Sequence, residues 1–170
     1  MKFRLLLPVL LLSCSLSAQN LRSFTVPMRP DSLCYLSIAN GKAYTSGQAA
    51  DVKKSLDLGL FEQVDGKTPR TEWYNLKDDN EKAPEALWGT ATKVAAISFD
   101  RDQFDRCRTA ADLKRMTGYL TTNSFSHFAV LRSSNDSYQR CFIVERENGK
   151  RGLIFVTAAG ASWKVEVKTE

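Results

Sequence analysis

The chain has 170 residues, 24 Lys and Arg against 19 Asp and Glu, a formal charge of +5, four cysteines and one histidine. No arginine-rich tract carries interleaved aromatics, and the cysteines are not clustered at ligand spacing, so neither a nucleic-acid partner nor a zinc site is expected. No cofactor motif is legible, and none is expected.

Met1–Ala18 has a basic start (Lys2, Arg4), an apolar run from Leu5 to Leu12 and small residues up to Ala18. This is the pattern of a secretory signal peptide, too short to span a bilayer. Two processing routes are open. Leu11-Leu12-Ser13-Cys14 fits a bacterial lipobox, which would leave Cys14 lipidated, and Ser17-Ala18 before Gln19 fits ordinary cleavage, although Leu16 is large for the −3 position. Without Lys2 and Arg4 the charge falls from +5 to +3. Residues 19–170 are enough for a single domain burying roughly 70% of its unfolded surface. An exported protein is therefore expected, in the periplasm, at the outer membrane surface or outside the cell, touching a membrane only through a lipid on Cys14.

Leu21–Pro30 reads as an extended lead-in interrupted by Pro27 and Pro30. Leu33–Ala39 alternates as a strand, and Asn40-Gly41 turns it back into Lys42–Thr45. Ser46–Lys54 suits a helical turn, and Leu56–Gln63 a strand with Leu56, Leu58, Leu60 and Glu62 on one face. Val64–Pro84 is polar and reads as a long connection, a kind of segment that often carries function. Val94–Phe99 is β-like, and Asp100–Cys107 leads into a short helix. Thr109 with Asp112 forms a capping signature. Ala110, Leu113, Met116 and Leu120 make a helical stripe, which Gly118 is expected to end in the left-handed conformation. Asn123–Ser133 returns to strand, and Ser134–Ser137 turns into the last third.

That last third, Tyr138–Thr157, is the clearest signal. Asn148-Gly149 between two β-prone runs predicts a two-residue type I′ turn. The register would then face Glu147 with Lys150, Val144 with Leu153, Ile143 with Ile154, Phe142 with Phe155 and Cys141 with Val156. Phe142, Val144, Leu153 and Phe155 would share one face, and Cys141, Ile143, Ile154 and Val156 the other. Both faces are apolar, so the hairpin belongs inside a sheet covered on both sides. In Ser162–Lys168, Trp163, Val165 and Val167 alternate with Lys164, Glu166 and Lys168, the pattern of a half-exposed edge strand. The fold class that follows is mainly β: an antiparallel β-sandwich, or a small α+β sandwich, of seven or eight strands with one or two short helices and a C-terminal three-strand meander.

Candidate chemistry is sparse. His127 alternates with Phe125, Ala129 and Leu131, which favours a structural histidine over a catalytic base. Asp100, Asp102 and Asp105 could offer oxygens to calcium, but they suit the start of a helix better, and Asp78–Glu81 reads as a solvated acidic loop. Cys34, Cys107 and Cys141 allow one disulfide with one thiol left over, or buried thiols throughout. The most informative stretch is Glu72-Trp73-Tyr74-Asn75, two large aromatics in the polar connection, with Trp88 downstream. Exposed rings beside carboxylate and amide groups hold sugars by stacking and hydrogen bonding, and these five residues are the candidate ligand site. The competing reading is that the rings fold back and pin the loop.

Asn40-Gly41-Lys42-Ala43-Tyr44-Thr45, Gln48-Ala49-Ala50 and Leu56-Asp57-Leu58-Gly59 resemble an element of uncharacterised exported proteins and lipoproteins of Gram-negative bacteria. The run Asn148–Val156 followed by Val165-Glu166-Val167-Lys168 is similar to their C-terminal ending. The resemblance implies a secreted β-rich domain and assigns no catalytic residue. A non-enzymatic binding module for a glycan or an envelope protein is the leading expectation. A carboxylate-dependent hydrolase of an extracellular polymer and an accessory subunit of a surface assembly are the alternatives.

Overall fold

A computed structural model describes residues 19–65, 68–77, 89–126, 128–133 and 139–170. The signal-peptide pattern with Cys14, the Asp78–Glu81 patch, Trp88, His127 and the Ser134–Ser137 turn lie outside the described residues.

The described chain forms two five-stranded antiparallel sheets. The first runs β1(Arg22–Met28), β10(Ser162–Thr169), β9(Arg151–Ala159), β8(Gln139–Glu145) and β6(Lys93–Ile97). The second runs β3(Lys42–Tyr44), β2(Tyr35–Ser37), β4(Leu58–Asp65), β5(Thr68–Asn75) and β7(Phe128–Ser133). Their inner faces share one core, in which Met28, Phe142, Val144, Ile154, Val156 and Val165 meet Leu36, Leu58, Leu60 and Trp73. One seam is closed by a two-bond bridge from Val94 to Ser126, just ahead of β7. At the other, the Arg22 guanidinium donates to the Ala39 carbonyl.

The outer faces are covered by short helices. α1(Ser46–Val52) lies over Cys34, Tyr35, Phe61 and Tyr74 of the second sheet. α2(Arg101–Arg106) and α3(Ala110–Thr117) cover Cys141, Ile143, Leu153 and Phe155 of the first. All three helices begin with a capping box, at Thr45/Gln48, Asp100/Gln103 and Thr109/Asp112, which satisfies amides a short helix would otherwise leave bare. Gly118 does not end α3 in the left-handed conformation, since its φ is −65°. Instead the last turn of α3 is held from outside, by Arg151 on the Thr117 carbonyl.

The mainly β sandwich and the β8–β9–β10 meander agree with the sequence reading, but four details differ. There are ten strands and three α-helices among the described residues, more than the seven or eight strands and one or two helices expected. β10 is not an edge strand, because β1 pairs along its whole length; Pro27, which has no amide proton to give, sits on the true edge. The charged face of β10 serves α2: Lys168 Nζ donates to the carbonyls of Phe104, Asp105 and Cys107 at 2.7, 3.2 and 2.9 Å, closing that helix end. Glu166 pairs with Arg101 at 2.7 Å, and Arg101 also stands over the Phe104 and Phe155 rings.

The third difference is the hairpin register. Val144 faces Gly152, Ile143 faces Leu153, Phe142 faces Ile154 and Cys141 faces Phe155, one residue off the expected pairing. The Gly149 amide donates to the Arg146 carbonyl and the Arg146 amide to the Lys150 carbonyl, so the loop has three residues, with Gly149 at φ +75°. Charge explains the choice. A two-residue loop would set Arg146 against Arg151, whereas the observed loop sets Glu145 against Arg151, with a 2.9 Å ion pair. Both faces remain apolar and covered, but Phe142 and Val144 now share theirs with Ile154 and Val156. The fourth difference, the polar connection, bears on function.

Candidate functional site

Residues 68–75 are not a loop. They form β5, paired with β4 on one side and β7 on the other. Trp73 lies in the sandwich core, fully buried, with an indole N–H that finds no hydrogen-bond acceptor among the described residues. Its neighbours alternate to the outer face. There the Tyr74 hydroxyl donates a short hydrogen bond to Glu72 Oε2, and Glu72 Oε1 lies 3.4 Å from Arg70 Nε. Burial, then the Glu72 carboxylate, pushes the Tyr74 hydroxyl far above its ordinary value. Asn75 is buried as well and accepts from the Lys77 amide. Glu72, Trp73, Tyr74 and Asn75 therefore present no exposed ring or amide on which a sugar could stack, which corrects the expectation of an open aromatic loop. Trp88 is not described.

The other candidates have structural work. Asp100 caps α2, Asp102 lies in its first turn, and Asp105 pairs with Arg101 at 2.9 Å. Cys34 packs on the outer face of the second sheet, and Cys107 and Cys141 on that of the first. All three are buried thiols. Burial raises Cys107 to about 11 and Cys141 to about 12, which keeps both protonated and poorly nucleophilic at neutral pH.

Two open cavities flank the tip of the β8–β9 hairpin. The first, of ≈ 390 Å³, lies between α3 (Leu113, Lys114, Thr117) and the hairpin (Glu145, Arg151), with Glu170 beside it. Arg151 forms its rigid wall. Nε and Nη2 reach Glu145 at 2.9 Å, Nη1 reaches the Thr117 carbonyl at 2.9 Å, and the guanidinium stands over the Phe125 ring. The Arg151 amide also donates to Glu170 Oε2 at 2.9 Å. Tyr119, 64% exposed, falls between the lining residues Gly118 and Leu120. The groove thus carries fixed carboxylates, an exposed ammonium on Lys114 and an exposed phenol close by.

The second cavity, of ≈ 310 Å³, is lined by Thr90, Arg146, Glu147 and Asn148. Behind it lies Asp57, wholly buried ahead of β4. Its Oδ1 accepts from Arg146 Nε at 2.8 Å, Thr90 Oγ1 at 3.0 Å and Thr92 Oγ1 at 3.3 Å, and its Oδ2 accepts from the Ile38 amide at 2.7 Å. Sequence reasoning passed over both Asp57 and Arg146. The available signal was a carboxylate between two leucines, a residue type that is seldom buried without a partner.

Among the described residues no group of three or more His, Cys, Asp or Glu is placed to hold a metal, and no helix is long and apolar enough to cross a membrane. Searches against protein-family models, curated proteins and solved structures give no significant match.

Proposed function

We propose that the protein is an exported, non-enzymatic binding module that holds a glycan in the groove between α3 and the hairpin tip. The carrying observation is that groove's make-up: carboxylates of Glu145 and Glu170 set by Arg151, Lys114 opposite, and Tyr119 exposed alongside. Sugars are recognised by such a combination, hydrogen bonds to fixed charged groups and the stacking of C–H faces on an aromatic ring. Export rests on the pattern of residues 1–18. The lack of a catalytic role rests on how the polar groups are used. The two carboxylates that share the groove both accept hydrogen bonds from Arg151, and Asp31, Asp112 and Glu166 are held below their ordinary values by the donors around them, away from what a general acid needs.

The test is a glycan array followed by titration of any hit with wild type, Tyr119→Ala and Lys114→Ala. Binding by wild type that both substitutions weaken supports the reading. No glycan bound by wild type, or equal binding by all three proteins, refutes it. Separately, radiolabelled palmitate incorporated only when Cys14 is present would make the module a lipoprotein, and its absence would leave cleavage after Ala18.

A further inference from the structure

We propose that Arg146 anchors a second binding site, in the cavity on the other side of the hairpin tip, and that this site takes an oxyanion: a carboxylate, sulfate or phosphate group. It stands whatever the α3 groove binds.

A guanidinium has five N–H donors in one plane, and how they are spent decides what it can still do. In Arg151 they are consumed by Glu145 and by the Thr117 and Leu120 carbonyls. In Arg146 only Nε is engaged, on Asp57. The four N–H bonds of its η nitrogens have no protein partner among the described residues, and the side chain, 16% exposed, lines an open cavity. The head group is also immobilised. Asp57 is itself held from three further sides, by the Ile38 amide and by the Thr90 and Thr92 hydroxyls, the latter two 2.9 Å apart. A planar donor pair fixed in advance and partly desolvated matches the two oxygens of an oxyanion, and the cost of ordering the side chain is already met by folding.

The local charges are compatible with this. The Asp57 carboxylate is spread over four hydrogen bonds on the buried side of the guanidinium, away from the cavity. Glu147, the one acidic residue among the described residues of the lining, is exposed, where water and salt screen it. Thr90 adds a side-chain oxygen to the lining, and Asn148 an amide.

The probes are inorganic phosphate, sulfate and acetate, titrated against chloride at constant ionic strength and followed by thermal shift and calorimetry. Wild type should show a saturable response to at least one oxyanion and none to chloride; which one responds identifies the group preferred. Arg146→Lys keeps a positive charge beside Asp57 but offers a point ammonium instead of a planar fork, and should weaken binding about tenfold or more. Asp57→Asn/Arg146→Gln replaces the ion pair by a neutral pair of nearly the same shape and should abolish it. A wild-type response that never saturates, or one shared equally by both variants, overturns the proposal. Arg146→Lys keeps the test decisive even if the double variant fails to fold.

Discussion

Arg146→Met removes one half of the buried pair and should destabilise the whole sandwich. Asp57 follows α1 and enters the second sheet, Arg146 leaves β8 of the first, and their 2.8 Å contact ties the two sheets at the hairpin end. Breaking a buried ion pair by deleting one partner costs roughly 3–5 kcal/mol, because the remaining charge is left uncompensated. Here Asp57 is wholly buried but keeps the Ile38 amide and two threonine hydroxyls, which places the loss near the lower end, at about 3 kcal/mol. For a domain of this size that corresponds to a fall in Tm of about 6–12 °C. Urea unfolding and calorimetry on chains lacking residues 1–18 would measure it. Asp57→Asn/Arg146→Met should lose less than the two single substitutions added together, since neither charge is then left alone. Arg29→Ala is the control, because its pair with Asp31 is 49% and 63% exposed and its loss should leave the midpoint unchanged. A loss below about 1 kcal/mol in Arg146→Met, the scale of a surface pair, would refute the reasoning.

Three further outcomes are expected. Trp73→Ala should cost roughly 3–5 kcal/mol in urea unfolding, because a fully buried indole leaves a cavity in the shared core; wild-type stability with altered glycan binding would return Trp73 to the ligand site. Hydrogen bonding from Arg101, with Lys164 adding to it, holds Glu166 below its ordinary 4.5, so its contribution to stability is complete above that pH and drains away as the pH falls through the lowered value. Glu166→Gln should therefore be less stable than wild type at neutral pH and show a shallower acid slope; parallel slopes would exclude the linkage. Thiol titration of the chain without residues 1–18 should find three reactive cysteines in denaturant and almost none natively. A single thiol would instead mean a Cys107–Cys141 bridge, since Cys34 packs on the opposite sheet.

What was legible in the chain depended on whether a signal was local. The Thr109/Asp112 cap, the Asn40-Gly41 turn and the apolar faces of residues 141–144 and 153–156 each act within a few positions, and each is present in the fold. β5 was lost because polarity was taken for exposure. Thr71, Glu72 and Asn75 are polar yet buried, with Glu72 and Asn75 made tenable by bonds to Tyr74 and the Lys77 amide, so a central strand carried the composition of a loop. β1 was missed as a strand because its partner, β10, lies at the far end of the chain and Pro27 discourages the reading that an edge position permits. The Asp57–Arg146 contact joins residues 89 positions apart, with nothing in either neighbourhood to announce the other.

The hairpin tip shows how one residue of loop length reaches from register to chemistry. In a two-residue loop, Arg146 would have been a ladder residue opposite Arg151, and the two guanidinium groups would have repelled one another across the strands. With three residues in the loop, Arg151 takes Glu145 as its cross-strand partner and turns toward α3, where it builds the wall of one cavity. Arg146 becomes the residue that closes the loop against Lys150, beyond the last ladder pair, and its side chain reaches back to Asp57 beside the other. The same slip sends Phe155 outward onto α2 and Ile154 inward onto Phe142. Packing of the core and placement of both arginines therefore depend on the same loop. A substitution that shortened it to two residues would exchange the faces of β9 against β8 and dismantle both cavities together, whereas Gly149→Ala, strained at φ +75° but with no atom within 4 Å of the new methyl group, should cost only about 1–2 kcal/mol and leave both in place.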